Sequence, residues 1–358
     1  MVEKLLKLLG RPVWAKLKPK IVADVSRTLD LQHIQPLRQK IAELDAALQA
    51  AQAGFHARLA DLPQGSGAAP HSSPRGHLYV PNAALSNVRS SGPFMPYSTC
   101  STADFFHPRY LELCDLLRHP HRFHRKLWEW IFIIHHLQTA GVLAEGKRGV
   151  VFGVGLEKLP ALFASLGAAI TATDAPQEIG AASGWATTGQ HSQSLAQLRC
   201  PDLIADALFD QRVDYRVCDM NHIDPGLTDY DFTWSSCCFE HLGSLEAGMQ
   251  FVINSVEKTL KPGGIACHTT EYNLSSNDDT ADSGDTVIYR KRDMEELAQR
   301  LRDRGHEVQP FIVAPDSHVL DFYVDMPPHD HSGPHLKVRL DQYVATSVGL
   351  VIKRGAAP

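Results

Sequence analysis

From residue 148 onward, short apolar runs alternate with longer stretches that are apolar on one helical face. The runs GVVFGV, AITATD, VDYRVCDM, YDFTWSS and GIACHTTEY have the length and β-branched content of strands. Between them lie LPALFASLG, LEAGMQFVINSVEKTL and MEELAQRLRDRG, which repeat apolar residues at helical spacing, and YVATSVGLVIK supplies a late β-rich segment. Strands alternating with helices predict a doubly wound, mainly parallel sheet with helices on both faces, spanning 148–358. In such sheets ligands bind at the carboxyl ends of the strands.

Upstream the pattern changes. PRYLELCDLLRH and HRKLWEWIFIIHHLQTAGVL are helical, closed by Gly141 and Gly146, and predict a helical segment over 77–147 placed to cover the ligand mouth. LPQGSGAAPHSSPRG, residues 62–76, has no periodicity and reads as a flexible linker. Ile34, Leu37, Ile41, Leu44, Leu48, Ala51 and Phe55 alternate three- and four-residue steps, the seam of a short coiled coil suited to homo-oligomer formation or to packing on its own domain. Residues 3–20 set Leu5, Leu6, Leu8, Leu9, Val13, Trp14 and Leu17 among lysines and arginines, which suits either a membrane surface or a packed helix. The N-terminal extension therefore spans 1–61.

Bulk composition narrows the partners. With 35 Lys and Arg against 40 Asp and Glu, no global positive field favours nucleic acid. Seven cysteines without a CxxC pair fit neither a disulfide framework nor a thiolate zinc site, so they are expected as reduced thiols in a cytoplasmic protein. No apolar stretch approaches the roughly 20 residues of a membrane span, and the start lacks the features of a secretory signal; a peripheral position at the inner membrane surface through 3–20 stays open.

The most informative stretch is VVFGVGLEKLPALFASLGAAITATD, residues 150–174. Gly153 and Gly155 fall where a strand hands over to a helix, and without side chains they allow a sharp turn and close approach of a ligand to the main chain. Asp174 ends the next strand about 20 residues on, where a carboxylate can accept the two ribose hydroxyls of an adenosine. Asp219 in YRVCDMN ends a third strand and is followed by Met220, a pair suited to an adenine amino group and ring face.

With YDFTWSS, the EHL step and LKPGG at 260–264 following in order, the chain resembles the class I S-adenosylmethionine-dependent methyltransferases over roughly residues 147–315. The resemblance implies a Rossmann-like fold, S-adenosylmethionine as co-substrate, and a cofactor set of Gly153, Val154, Gly155, Asp174, Ala175, Asp219, Met220 and Ser235. Two positions depart from the family pattern. Phe152 stands where an acid is usual, and Glu157 replaces the third glycine of GxGxG. An NAD(P)-dependent oxidoreductase would share the first βαβ unit but leaves Asp219 and the KPGG turn without a role.

The acceptor is read from the residues after the fourth strand. Trp234-Ser235-Ser236-Cys237-Cys238 lacks the Asn/Asp-Pro-Pro-aromatic run common in amino-group methylation. CCFEHL resembles the Glu-His step of ubiquinone-type and small-RNA 2′-O-methyltransferases, with Cys237 in place of the first Glu of ExxEH. His241 is therefore expected as the general base, Glu240 as its orienting partner, and His268 and Glu271 of CHTTEYN (267–273) at the rim beside the acceptor. A divalent metal, with ligands unassigned, remains an alternative role for these groups.

Two histidine-rich tracts, RHPHRFHRK and PPHDHSGPH, stand out among 19 histidines. The first reads as a solvated or anion-facing surface, and the second sits on a late loop able to reach the site. The polar stretch EYNLSSNDDTADSGDTVIYRKRD suits a lid over a hydrophilic acceptor. Together these features predict O-methylation of a sugar, a glycosylated small molecule or a cell-surface glycan. A non-catalytic, cofactor-binding assembly protein is the contrasting expectation.

Overall fold

The computed structural model describes residues 39–40, 92–176, 192, 194–329 and 333–356. The chain divides into two compact units, Met1–His77 and Leu78–Pro358. The expected amphipathic helix at 3–20 and the linker at 62–76 lie outside the described residues, as does the coiled coil at 34–55 apart from Gln39 and Lys40. Among the described residues no helix is long and apolar enough to cross a membrane.

The second unit is built on one nine-stranded sheet. Its strands are β1 Arg148–Val151, β2 Ala169–Asp174, β3 Val213–Val217, β4 Tyr230–Ser236, β5 Leu260–Asn273, β6 Glu307–Val308, β7 Val324–Asp325, β8 Lys337–Leu340 and β9 Tyr343–Lys353. The spatial order is β3-β2-β1-β4-β5-β9-β8-β7, with β6 paired to the end of β9. The strands β3, β2, β1, β4 and β5 pair in parallel, and β9 runs antiparallel to β5 and to β8. The order runs outward in both directions from β1 and β4, so the crevice of a doubly wound sheet falls at their carboxyl ends.

Helices cover both faces. On one face lie α1 Thr102–Phe105, α2 Pro108–Leu116, α3 Arg125–Thr139, α4 Leu159–Ser165 and α5 Asp206–Arg212; on the other lie α6 Leu245–Asn254 and α7 Lys291–Asp303. Phe232 and Trp234 of β4 meet Phe163 of α4, whereas Tyr230, on the other side of a register shift in the strand, joins the opposite core. Burial of large side chains such as Trp128, Trp234 and Phe251, each worth roughly 1.5–3 kcal/mol, holds the layers together. Gly149 permits a close contact within this layer, since a Cβ there would lie 2.3 Å from the Phe232 ring.

The helical segment before residue 148 is a layer of this same body. In α3, Leu127, Trp128, Ile131, Phe132, Ile134 and Leu137 are buried in the core shared with Phe163 and Trp234. His124 caps its start by accepting from the Lys126 N–H, so the first turn of α3 carries His124, Arg125 and Lys126 to the carboxyl ends of the strands. The LKPGG segment forms an excursion inside β5: Tyr230 pairs with Leu260, but Phe232 pairs with Ile265.

Candidate active site

After β1 the chain turns on two left-handed residues, Gly153 at φ +63° and Gly155 at φ +55°. A Cβ on Gly153 would meet the Cys238 sulfur at 2.7 Å, so both backbone sign and space require glycine there. Asp174, at the end of β2, braces this turn. Its Oδ2 accepts from the Gly155 and Ser192 peptide N–H groups, each at 3.0 Å, and its Oδ1 from the Ala175 N–H at 2.8 Å. Val154 is tied to β2 by its N–H to the Thr173 carbonyl at 2.9 Å. The aspartate expected to meet the ribose is thus buried and shapes the glycine turn itself.

Asp219 caps a short turn over Met220–His222, accepting from the Asn221 N–H and from the His222 ring at 2.9 and 2.8 Å. The Met220 sulfur lies 3.6 Å from the position a Gly153 Cβ would take, which brings the ends of β1 and β3 together. A cleft of about 380 Å³ opens at this end of the sheet. It is lined by Gly153 to Glu157, by Ser236 at the end of β4, by Trp130 and the start of α3, and by His335.

The chain leaves β4 through Cys237, which has φ +50° and whose N–H is held by the Thr269 carbonyl at 3.1 Å. Cys238 donates its thiol to the Gly153 carbonyl at 3.1 Å, so the turn after β4 rests against the glycine turn. One short helical turn later comes His241. Its Nδ1 is 2.7 Å from the Asp285 carbonyl, which can only accept, so that nitrogen carries the proton and Nε2 is the basic one. Thr286 Oγ1 lies 3.2 Å from the same nitrogen, so the polar segment after β5 positions this ring. Glu240 is buried and accepts from Thr270 Oγ1 at 3.0 Å; its carboxylate is bonded to β5 through that hydroxyl.

Sequence reasoning missed a buried ionic network at the same end of the sheet. Glu129 of α3, fully buried, contacts Lys126 at 2.8 Å, Arg125 at 3.6 Å, and the hydroxyls of Ser236 and Ser347 at 3.2 and 2.5 Å. Burial alone would raise its pKa, but Lys126 and then Arg125 outweigh it and hold the carboxyl at about 2. Arg125 also pairs with Glu271 of β5 at 2.5 Å. Burial, with repulsion from Glu240 and Glu129, pushes Glu271 up to about 7 against the pull of Arg125. Arg125 Nε and Glu271 Oε2 are buried without a hydrogen-bond partner, two polar atoms that an incoming ligand can satisfy.

Glu157, the departure from the third glycine, also lines the cleft. It accepts from the Trp234 indole at 2.7 Å, and burial, partly offset by that bond, raises its pKa to about 8. A carboxylic acid in this state presents an O–H donor at neutral pH. The signal for the network was a single carboxylate, Glu129, inside the apolar run LWEWIFII, one turn after Arg125 and Lys126.

His241, Glu240 and Glu271 are not among the residues that line the cleft, and two expected site residues lie on the other face of the sheet. His268 and Ser235 are fully buried on the far face of the sheet, joined to each other at 2.8 Å, and His268 is bonded through its other nitrogen to Ser255 at 3.0 Å. Burial lowers the His268 pKa to about 3, so its ring is neutral. The reason is strand parity: His268 and Thr270 point toward α6, whereas Glu271 points toward α3. The two histidine tracts diverge as well. His119 and His121 bond the carbonyls of Pro120 and Phe105, while His124 and His335 stack at 4.4 Å on the cleft wall.

One group of side chains within this site has ligand atoms within 4.8 Å of one another, as a metal would require: Cys237, Glu240 and Glu271. The Arg125 guanidinium on Glu271 and burial of the Cys237 thiol, which raises its pKa, both disfavour a cation there.

No family model and no curated protein matches the chain. Solved structures share low similarity with part of its length. The methyltransferase domain of bacterial CtHen1 is 14% identical over 62% of this chain and 95% of that one, with a TM-score of 0.38. A S-adenosylmethionine-dependent methyltransferase from Clostridium acetobutylicum is 10% identical over 63% and 90%, with a TM-score of 0.35. The [4+2]-cyclase SpnF is 18% identical over 62% and 82%, with a TM-score of 0.39.

Proposed function

We propose that this protein transfers the methyl group of S-adenosylmethionine to a hydroxyl of a small acceptor, a sugar or a glycosylated molecule. The observation that carries the reading is the pair of left-handed glycines braced by Asp174, opening on a cleft at the reversal of strand order. Bare main chain there suits the donor, and Met220 beside Gly153 suits its adenine.

In the transfer, the acceptor oxygen attacks the sulfonium methyl carbon, the sulfur keeps the electron pair of the broken S–C bond, and the hydroxyl proton goes to His241 Nε2. Asp285 and Thr286 keep the imidazole proton on Nδ1, so the basic nitrogen is the one assigned to this step. Holding donor and acceptor in line supplies most of the remaining acceleration, since the methyl carbon is already activated. Glu157 and Glu271, both with raised pKa values, are the groups suited to hydrogen-bond a polar acceptor.

Calorimetry with S-adenosylmethionine and its demethylated product tests the donor site, and transfer of a labelled methyl group to a panel of sugars and glycosides tests the acceptor class. Gly153→Val is expected to abolish donor uptake, because its side chain would fall on Cys238. His241→Ala should keep donor affinity and lower kcat by about 100-fold or more. Full activity in that variant removes His241 from the proton transfer, and absence of donor uptake by folded protein ends the methyl-transfer reading.

A further inference from the structure

We propose that Asp325, His329 and His335 form a binding site for a first-row divalent cation, with zinc as the probe, at the mouth of the cleft. Asp325 ends β7, which pairs in parallel with β8, and His335 stands just before β8, close enough for its ring to reach the Asp325 carboxylate. The backbone of His335 is fastened to the start of α3 by its N–H to the Phe123 carbonyl at 2.7 Å and by the Arg125 N–H to its own carbonyl at 2.8 Å. His329, four residues after Asp325, brings its ring to the same carboxylate.

The three donors converge. His335 Nδ1 lies 2.6 Å and His329 Nδ1 3.7 Å from the same oxygen of Asp325, and all three ligand atoms fall within 4.8 Å of one another. Asp325 and His335 are buried. A hydrogen bond between them accounts for one imidazole only. His329 Nδ1 is buried beside the same carboxylate without a hydrogen-bond partner, which a structural Asp–His pair leaves unexplained and a shared cation explains.

Two imidazole nitrogens and one carboxylate oxygen are the donor set of zinc and related first-row ions, with positions left open, rather than of magnesium or calcium, which take oxygen ligands. The His124 ring stacked on His335 at 4.4 Å restrains that imidazole from behind. The contrast with Cys237, Glu240 and Glu271 is electrostatic: Arg125 already occupies that group, whereas no arginine or lysine is paired with Asp325 among the described residues. His335 is also a wall of the cleft, so an ion here faces the space assigned to the acceptor, a role that rests on the methyl-transfer reading.

The full chain, freed of any affinity tag and stripped with a chelator, is dialysed against zinc and its metal content measured, with donor calorimetry on the same material. One zinc per chain is expected, and Asp325→Asn, His329→Gln and His335→Ala should each weaken it about 10-fold or more. His329 is only half-buried, so its variant keeps the fold and isolates ligation from stability. Cobalt in place of zinc should give a visible absorption band that His329→Gln shifts or removes. The proposal is overturned if the wild type retains no metal, if His329→Gln binds zinc as tightly as the wild type, or if Glu240→Gln loses the metal while Asp325→Asn keeps it. Donor uptake without zinc would sink the metal site alone; zinc uptake without donor binding would sink the methyl-transfer reading alone.

Discussion

Two sets of polar side chains leave the same pair of strands, β4 and β5, in opposite directions. Toward α6, Ser235, His268 and Ser255 form a sealed chain in which both imidazole nitrogens are bonded and the ring is neutral. Toward α3, Ser236 and Glu271 join Glu129, Lys126 and Arg125 in a charged network that borders the cleft and retains two buried atoms without partners. Both sets are buried and both hold the sheet to a helical layer. Completeness of hydrogen bonding separates them: a closed neutral set serves structure, and an open charged set is suited to receive a ligand.

The largest effect is expected from Glu129→Ala. Removing the carboxylate leaves Lys126 without its acid partner and Arg125 with Glu271 alone, and unfolding by urea should show a loss of about 3–5 kcal/mol. A loss below about 1 kcal/mol would mean that water reaches these cations and that the network is not buried in the sense argued above. His268→Leu comes next. It leaves the Ser235 hydroxyl without its ring partner and should cost about 1–3 kcal/mol, with donor affinity and kcat close to the wild type. A selective fall in kcat at unchanged stability would erase the distinction between the two sets.

The smallest effects are those of pH. Glu129 has a depressed pKa, so its contribution is complete above pH about 4.5 and is lost as pH falls toward 2. Glu271 has a raised pKa, so its effect has the opposite sign: the folded state is favoured most below pH 4.5 and loses that increment as pH rises through about 7. Glu271→Gln should therefore flatten the fall in urea midpoint between pH 5 and 8. An unchanged slope would assign the titration to another group.

Much of the fold was legible because strands and helices announce themselves by period. The runs around Val150, Ile170, Phe232 and Val348 became β1, β2, β4 and β9, and MEELAQRLRD became α7, since apolar spacing of two or near four residues admits few ways to bury a face. The glycine turn was legible for a related reason. Two glycines at a strand end are a local requirement of backbone geometry, whereas the bracing of that turn by Asp174, which accepts from the Gly155 N–H, was not read from the sequence. His268 was misplaced at the rim because a one-residue step along β5 reverses the direction of a side chain, and neighbouring polar residues in CHTTEYN look alike in one dimension.

The sequence by itself determined the alternation of elements, the glycine turn and the polar character of the strand ends, all of which depend on residues within one or two turns of chain. Only the tertiary structure decided which polar groups meet: Glu129 with Ser347, Arg125 with Glu271, and His335 with His124 and Asp325. These partners are brought together by strand order and by the docking of α3, and the sign of a pKa shift or the presence of an unsatisfied atom exists only once burial has removed the water that would otherwise screen them.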